Sequence, residues 1–258
     1  MSSLDKSSAR MLSLSAKLRK MKLSAMADEM ERQSADPNAG LIDPLDRIEK
    51  LILSEWDLRR TKKLSRFKKA ASLRYPEASI DASIHDPQRL LDAPSIEALS
   101  TCQWIEEGKN LLVTGSAGTG KTYVVNALCV SAINQFKTVK YSKASHMISE
   151  LESASVRGEE LQMIKEMSQI DLLVLDDFGL MDLDPDKCRR LFELVDSREG
   201  RKSTVIISQL PVSSWYSLFK DATYADSCMD RLVHNAYRLD FRGKNMRNPS
   251  LTPRKEAK

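Results

Sequence analysis

The sequence predicts an α/β fold, a five-stranded parallel sheet between helices, preceded by a small all-helical N-terminal module. Three observations predict it. Short apolar runs, NLLVTG, TVKYSK, DLLVLDDF, STVIISQL and YRLDF, recur from about Pro94 onward. They are continuous rather than alternating, as strands buried on both faces are. Helical stretches separate them, whereas the first 75 residues read as helix throughout.

In chain order, Met11, Leu14, Leu18 and Met21 fall on one face of a helix, and SADPNAG breaks it. Leu45, Ile48, Ile52 and Trp56 then share a stripe on a second helix, whose basic continuation runs to about Tyr75 and is stopped by Pro76. Residues 1–75 are therefore expected to form a helical module for oligomerisation or partner binding. Residues 76–95, with Pro76, Pro87 and Pro94, read as a linker. The sheet and its helices are expected over 96–248, and 249–258 as a disordered basic tail. Lys143 to Gln169 reads as two helices hinged near VRGEE. MDLDPDK, Met181 to Lys187, places acids where a helix opens, at its positive end, and so need not be a metal site.

Composition narrows the function classes. The 258 residues are 41% hydrophobic and 29% charged, an ordinary globular balance with a net charge of only +4. The charge is uneven: Leu58 to Tyr75 holds eight basic residues and no acid, and Arg238 to Lys258 seven basic and two acidic. Such blocks suit a polyanion such as nucleic acid, and a solvated helix face or tail would account for either block alone. Cys102, Cys129, Cys188 and Cys228 are far apart and form no C-x-x-C pair, which argues against a disulfide framework or zinc knuckle and fits a reducing cytosol. The three histidines are equally dispersed. No apolar signal core opens the chain, and the charge-free run Ser203 to Phe219 is interrupted by Gln209, Pro211 and serines, so no membrane span is expected.

The chemistry concentrates after the first strand. Gly115-Ser116-Ala117-Gly118-Thr119-Gly120-Lys121-Thr122 fits G-x-x-x-x-G-K-[ST] in full. The glycines let backbone N–H groups curl towards phosphate oxygens, and the following helix adds its positive end. Lys121 is placed to reach the β- and γ-phosphates of ATP, and the Thr122 hydroxyl to ligate Mg²⁺. Asp176 and Asp177 end a buried strand 55 residues after Lys121 (176 − 121). Paired acids there call for a cation or a proton to manage. Asp176 is placed to hold Mg²⁺, and Asp177 to polarise an attacking water. No second catalytic constellation, such as a nuclease acid triad, is evident.

The order of phosphate loop, acidic pair and polar-ended strand resembles an AAA+ P-loop NTPase core, and within it the helicase-loader and initiator branch. It is most similar to the IstB family of transposon helper ATPases. LDDFG, TVIISQLPVSSW and MDRLVHNAYRLDFRGKNMR carry the resemblance, which covers nearly the whole chain. It implies Gln209 as sensor 1, Arg231 as an arginine finger acting in trans, and Arg247 as the sensor-2 arginine. Two departures stand out. Asp177 replaces the glutamate of many such enzymes, predicting turnover on the order of minutes against a median of ~10 s⁻¹, and Gln209 replaces the usual asparagine. The resemblance further implies a homo-oligomer (spiral, ring or filament) on double-stranded DNA, largely independent of sequence, with Lys140, Lys143 and Arg157 as groove contacts. It also implies the transposase of the same element as partner, slow hydrolysis as an assembly timer, and a bacterial cytoplasmic, nucleoid-associated location. The alternative in the same fold is a DnaC-like replicative helicase loader. A small-molecule P-loop kinase would need an acceptor pocket and lid, for which no segment is evident.

Overall fold

A computed structural model describes residues 3–84 and 92–242. Arg247, the 249–258 tail and part of the 76–95 linker lie outside the described residues. The chain divides into two compact units, Met1–Arg66 and Phe67–Lys258.

The first unit holds α1 (Ser3–Lys20), α2 (Ser24–Ala35), a 3-10 turn (Ala39–Leu41) and most of α3 (Pro44–Ala71). Lys22, at φ 61, turns the chain between α1 and α2, so the first predicted helix is two helices before SADPNAG. Polar contacts fasten the unit. Arg19 donates to Asp28 and Glu31, each at 2.6 Å. Glu55 of α3, almost fully buried, accepts from the Ala25 backbone N–H at 3.1 Å. It caps the open N-terminus of α2, whose own N-cap position, Leu23, offers no side-chain acceptor. The Leu45, Ile48, Ile52 and Trp56 stripe lies on the exposed face of α3. The division falls within α3, after Arg66, and the segment beyond α3 bonds to α7 of the second unit.

In the second unit, α4 (Ile80–Ile84), α5 (Ala93–Ser100) and α6 (Gln103–Glu106) lead into β1 (Asn110–Gly115). Then follow α7 (Lys121–Asn134), β2 (Val139–Lys143), α8 (Ala144–Val156), α9 (Glu160–Gln169), β3 (Leu172–Phe178), α10 (Pro185–Asp196) and β4 (Ser203–Ser208). Two 3-10 turns, Val212–Ser214 and Tyr216–Leu218, precede α11 (Ala222–Val233) and β5 (Ala236–Phe241). The strands form one five-stranded parallel sheet in the order β2-β3-β4-β1-β5. Each expected strand is present, and the 143–169 crossover is two helices turned at Gly158 (φ 73).

The continuous apolar runs are explained by burial on both faces: every residue of β4 is buried, as are six of the seven in β3. Leu112, Leu173 and Ile206 pack with Leu151 of α8, Leu191 of α10 and Leu232 of α11. Asp184 caps α10, accepting from the Lys187 N–H at 3.0 Å, so the MDLDPDK acids do open a helix. Arg198 is 1% exposed, and its guanidinium donates to the carbonyls of Met167, Ile170 and Ser203 and to the Thr204 hydroxyl. It ties the end of α9 to β4, and among the described residues no carboxylate pairs with it. The four cysteines are buried free thiols. Among the described residues no helix is long and apolar enough to cross a membrane.

Candidate nucleotide site at the carboxyl ends of the strands

Parallel α/β sheets bind ligands beyond the carboxyl ends of their strands, where loops diverge. Here β1 ends at Gly115 and the glycine loop runs to Gly120, the N-cap of α7 at φ 93. That left-handed conformation suits glycine, and it turns the first N–H groups of α7 into the loop. Thr119, 1% exposed, donates its hydroxyl to the Ser116 carbonyl at 2.9 Å and braces the curl. The Lys121 ammonium donates to the carbonyls of Gly115 and Ser116 at 2.6 and 2.7 Å, so the loop's cation lies along the loop itself.

Asp176 and Asp177 are adjacent, and an ideal strand would send them to opposite faces. The strand is not ideal there. Leu175 pairs with Ile206 but Phe178 pairs with Ser208, so β3 advances three residues (178 − 175) while β4 advances two (208 − 206). This bulge puts Asp177 at φ 57, in the left-handed region that few non-glycine residues adopt. Both carboxylates thereby line one cleft of about 390 Å³, with Gly118, Lys121, Thr122 and Gln209. Strained backbone of this kind recurs at functional sites.

The acidic pair is held from several sides. Asp176 Oδ2 accepts from the Thr122 hydroxyl at 3.0 Å and from the Tyr141 phenol at 2.5 Å, and its Oδ1 from the Asp177 N–H at 2.7 Å. Burial, then the bond to Asp176, pushes the Tyr141 phenol above its ordinary range. Asp177 forms an ion pair with Lys143, at the end of β2, at 2.8 Å. Among the described residues no group of three or more His, Cys, Asp or Glu side chains could hold a metal by itself. A divalent cation at Thr122 and Asp176 would therefore complete its shell with phosphate oxygens, the donor set that Mg²⁺ takes.

The structure thus brings together Gly115 to Thr122, Asp176, Asp177 and Gln209. Arg231 lies elsewhere: it pairs with Asp196 at 2.7 Å and Glu199 at 3.2 Å, and its guanidinium is 4.8 Å from the Phe192 ring centre. Of the expected groove cations, Lys143 is engaged by Asp177, and Arg157 by Glu159 at 2.6 Å. Tyr141, Arg74 and Tyr75 were not singled out by the sequence, yet Tyr141 contacts Asp176 and the other two line the cleft. Apart from a basic block that suggested a polyanion, nothing local to residues 74 and 75 signals a nucleotide site.

The chain matches the family of IstB-like ATP binding proteins over residues 16–252. It is 32% identical over 231 residues to an ATP-binding protein attributed to an insertion sequence of Sinorhizobium fredii, covering 90% of this chain and 94% of that one. A similar protein of insertion sequence IS1162 in Pseudomonas fluorescens is 32% identical over 199 residues, 77% of this chain and 86% of that protein. Among solved structures, the crystal structure of the DnaC helicase loader superposes with a TM-score of 0.54 at 22% identity, covering 66% of this chain and 99% of that chain. AMPPCP-bound DnaA from Aquifex aeolicus gives 0.54 at 17% identity, over 67% of this chain and 52% of that one. At these identities the two structures speak for the fold alone.

Proposed function

The chain belongs to the family of IstB-like ATP binding proteins, and from that premise we propose that it is a transposition ATPase whose nucleotide state governs an assembly on target DNA. It is an ATPase of the AAA+ type, with relatives attributed to insertion sequences. The observation that carries the reading is the convergence of Thr122, Asp176 and Asp177 on the cleft above the glycine loop.

In this reading the N–H groups from Gly115 to Thr122 hold the triphosphate, and Lys121 moves from its loop carbonyls to the β- and γ-phosphates. Thr122 and Asp176 would hold Mg²⁺, which would supply charge screening at the terminal phosphate. Asp177 orients water and accepts its proton, which requires its carboxylate to leave Lys143. Gln209 donates to the terminal phosphate. Arg231 leaves Asp196 and completes the site of a neighbouring copy, as an arginine finger does, with Arg247 acting as sensor 2. Turnover is slow because the aspartate base is one methylene shorter than glutamate. The assembled copies track duplex DNA through phosphate contacts from Lys140, Lys143 and Arg157, the last two first leaving Asp177 and Glu159, and present it to the transposase of the same element.

Electron microscopy with ATP and a duplex of about 50 base pairs, roughly five helical turns, tests this against an ATP-free control. Ordered assemblies on DNA only with ATP are expected. Separate single copies in both samples would refute the assembly, and a preference for single strands with a hexameric helicase would favour the loader alternative.

A further inference from the structure

The segment that follows α3 enters the nucleotide cleft. Ser72, at φ 54, ends the helix, and Arg74 and Tyr75 come next. The Tyr75 N–H donates to Asn126 Oδ1 at 3.1 Å, while the Asn126 amide donates to the Thr122 carbonyl at 2.7 Å. Asn126 has no exposed surface, so this is a built latch onto the first turns of α7 rather than a surface contact. The Tyr75 and Tyr123 rings add to it, with centroids 5.7 Å apart.

The latch fixes where Arg74 can reach. Its guanidinium lies 5.6 Å from the Tyr75 ring centre and lines the same cleft as Gly118, Lys143, Asp177 and Gln209. Its charge also acts on the Tyr141 phenol that holds Asp176. Arg74 also borders a hollow lined by Tyr141 and Lys143, the partners of Asp176 and Asp177, so it lies on the side of the cleft that carries the acidic pair. Among the described residues no carboxylate pairs with it: Asp177 is taken by Lys143, and Asp176 by Thr122 and Tyr141. An exposed guanidinium with a planar donor fork, beside a phosphate loop, suits phosphate oxygens better than any group now around it.

We propose that Arg74 is a sensor of the terminal phosphate supplied by the same chain, so that a triphosphate, but not a diphosphate, fixes residues 72–78 and with them the end of α3. The proposal rests on the cleft being the ATP site. The nucleotide state would then be read locally by the helix that leads out of the ATPase unit, before any neighbour contributes.

The test is equilibrium binding of a non-hydrolysable ATP analogue and of ADP, both with Mg²⁺, to the full chain and to Arg74→Ala, Arg74→Lys and Lys121→Ala. Arg74→Ala should weaken the triphosphate at least about tenfold, as loss of a charged hydrogen bond does, and ADP by less than about twofold on the same basis. Arg74→Lys should recover part of the difference, and Lys121→Ala should weaken both nucleotides. Hydrogen exchange at residues 72–78 should be slower with the triphosphate than with ADP in the parent chain, and equal in Arg74→Ala. Equal losses for both nucleotides, no loss at all, or an exchange difference that survives the substitution would overturn the sensor. If the parent chain binds neither nucleotide, or Lys121→Ala binds both normally, the ATP-site reading itself fails.

Discussion

Replacing Gly115 by alanine asks why the phosphate loop starts with that residue. A Cβ built there would lie 2.3 Å from the Phe241 carbonyl oxygen and 2.9 Å from the Phe241 Cβ, at a φ of 136. A carbon needs roughly 3.3 Å from an oxygen, so β5 would have to retreat by about 1 Å. That stretches the ladder at its Gly115–Phe241 and Thr114–Asp240 pairs. Losing one or two such bonds costs about 1 kcal/mol each, and the backbone conformation adds about 1–2 kcal/mol for a residue with a Cβ. The expected loss is about 3 kcal/mol, which lowers the urea midpoint by roughly 1 M or more. Gly200→Ala is the control, because Gly200 has a φ of 64 but nothing within 4 Å of its added Cβ. It should lose only about 1 kcal/mol. A Gly115→Ala chain within about 0.5 kcal/mol of its parent, below the usual effect of a disruptive substitution, would refute the reasoning. So would undiminished stability with abolished ATP binding, which would assign the glycine to the phosphate instead of to β5.

Arg198→Met should remove about 3–5 kcal/mol, because the carbonyls of Met167, Ile170 and Ser203 lose a buried donor; urea unfolding that shows less than about 1 kcal/mol would contradict this. Arg231→Ala should lose about 1–2 kcal/mol from its half-exposed ion pair and its stacking on Phe192, and should also stop hydrolysis while ATP still binds. Asp196→Asn, which loosens the same contact, should leave hydrolysis intact; if it slows ATP turnover as much as Arg231→Ala does, the arginine works within its own chain. Burial acts to raise the Asp171 pKa, but Lys202, with the Thr138 N–H and hydroxyl, outweighs it and holds the carboxyl below its ordinary range. A depressed carboxyl stabilises the fold above its unfolded value of about 3.9, and that contribution is lost as pH falls through the folded value. Urea midpoints measured between pH 6 and 3 should therefore fall more steeply below the ordinary carboxylate range in the parent chain than in Asp171→Asn.

Local chemistry was enough to determine much of this protein. The five strands are legible because two-sided burial demands unbroken apolar runs, and the phosphate loop because only glycines permit its curl before Lys121 and Thr122. The cap at Asp184 and the hinge at Gly158 are likewise written in a few consecutive residues. The family likeness suggested roles for Gln209 and Arg231, though the partners of Arg231, Asp196 at the end of α10 and Glu199 in the turn after it, lie more than thirty residues away (231 − 199 = 32). Only the tertiary structure decided that Asp176 and Asp177 share a cleft. Neighbouring strand residues point apart, and the bulge that turns them together arises from the register of β3 against β4. The same holds for Tyr141 on Asp176, for Arg198 beneath the sheet, and for Arg74 and Tyr75 above α7. It holds too for the apolar stripe of α3, whose period marked a helix but not which face would be buried. Periodicity and turn chemistry act over a few residues, whereas these contacts join segments tens of residues apart, and packing alone selects which of them meet.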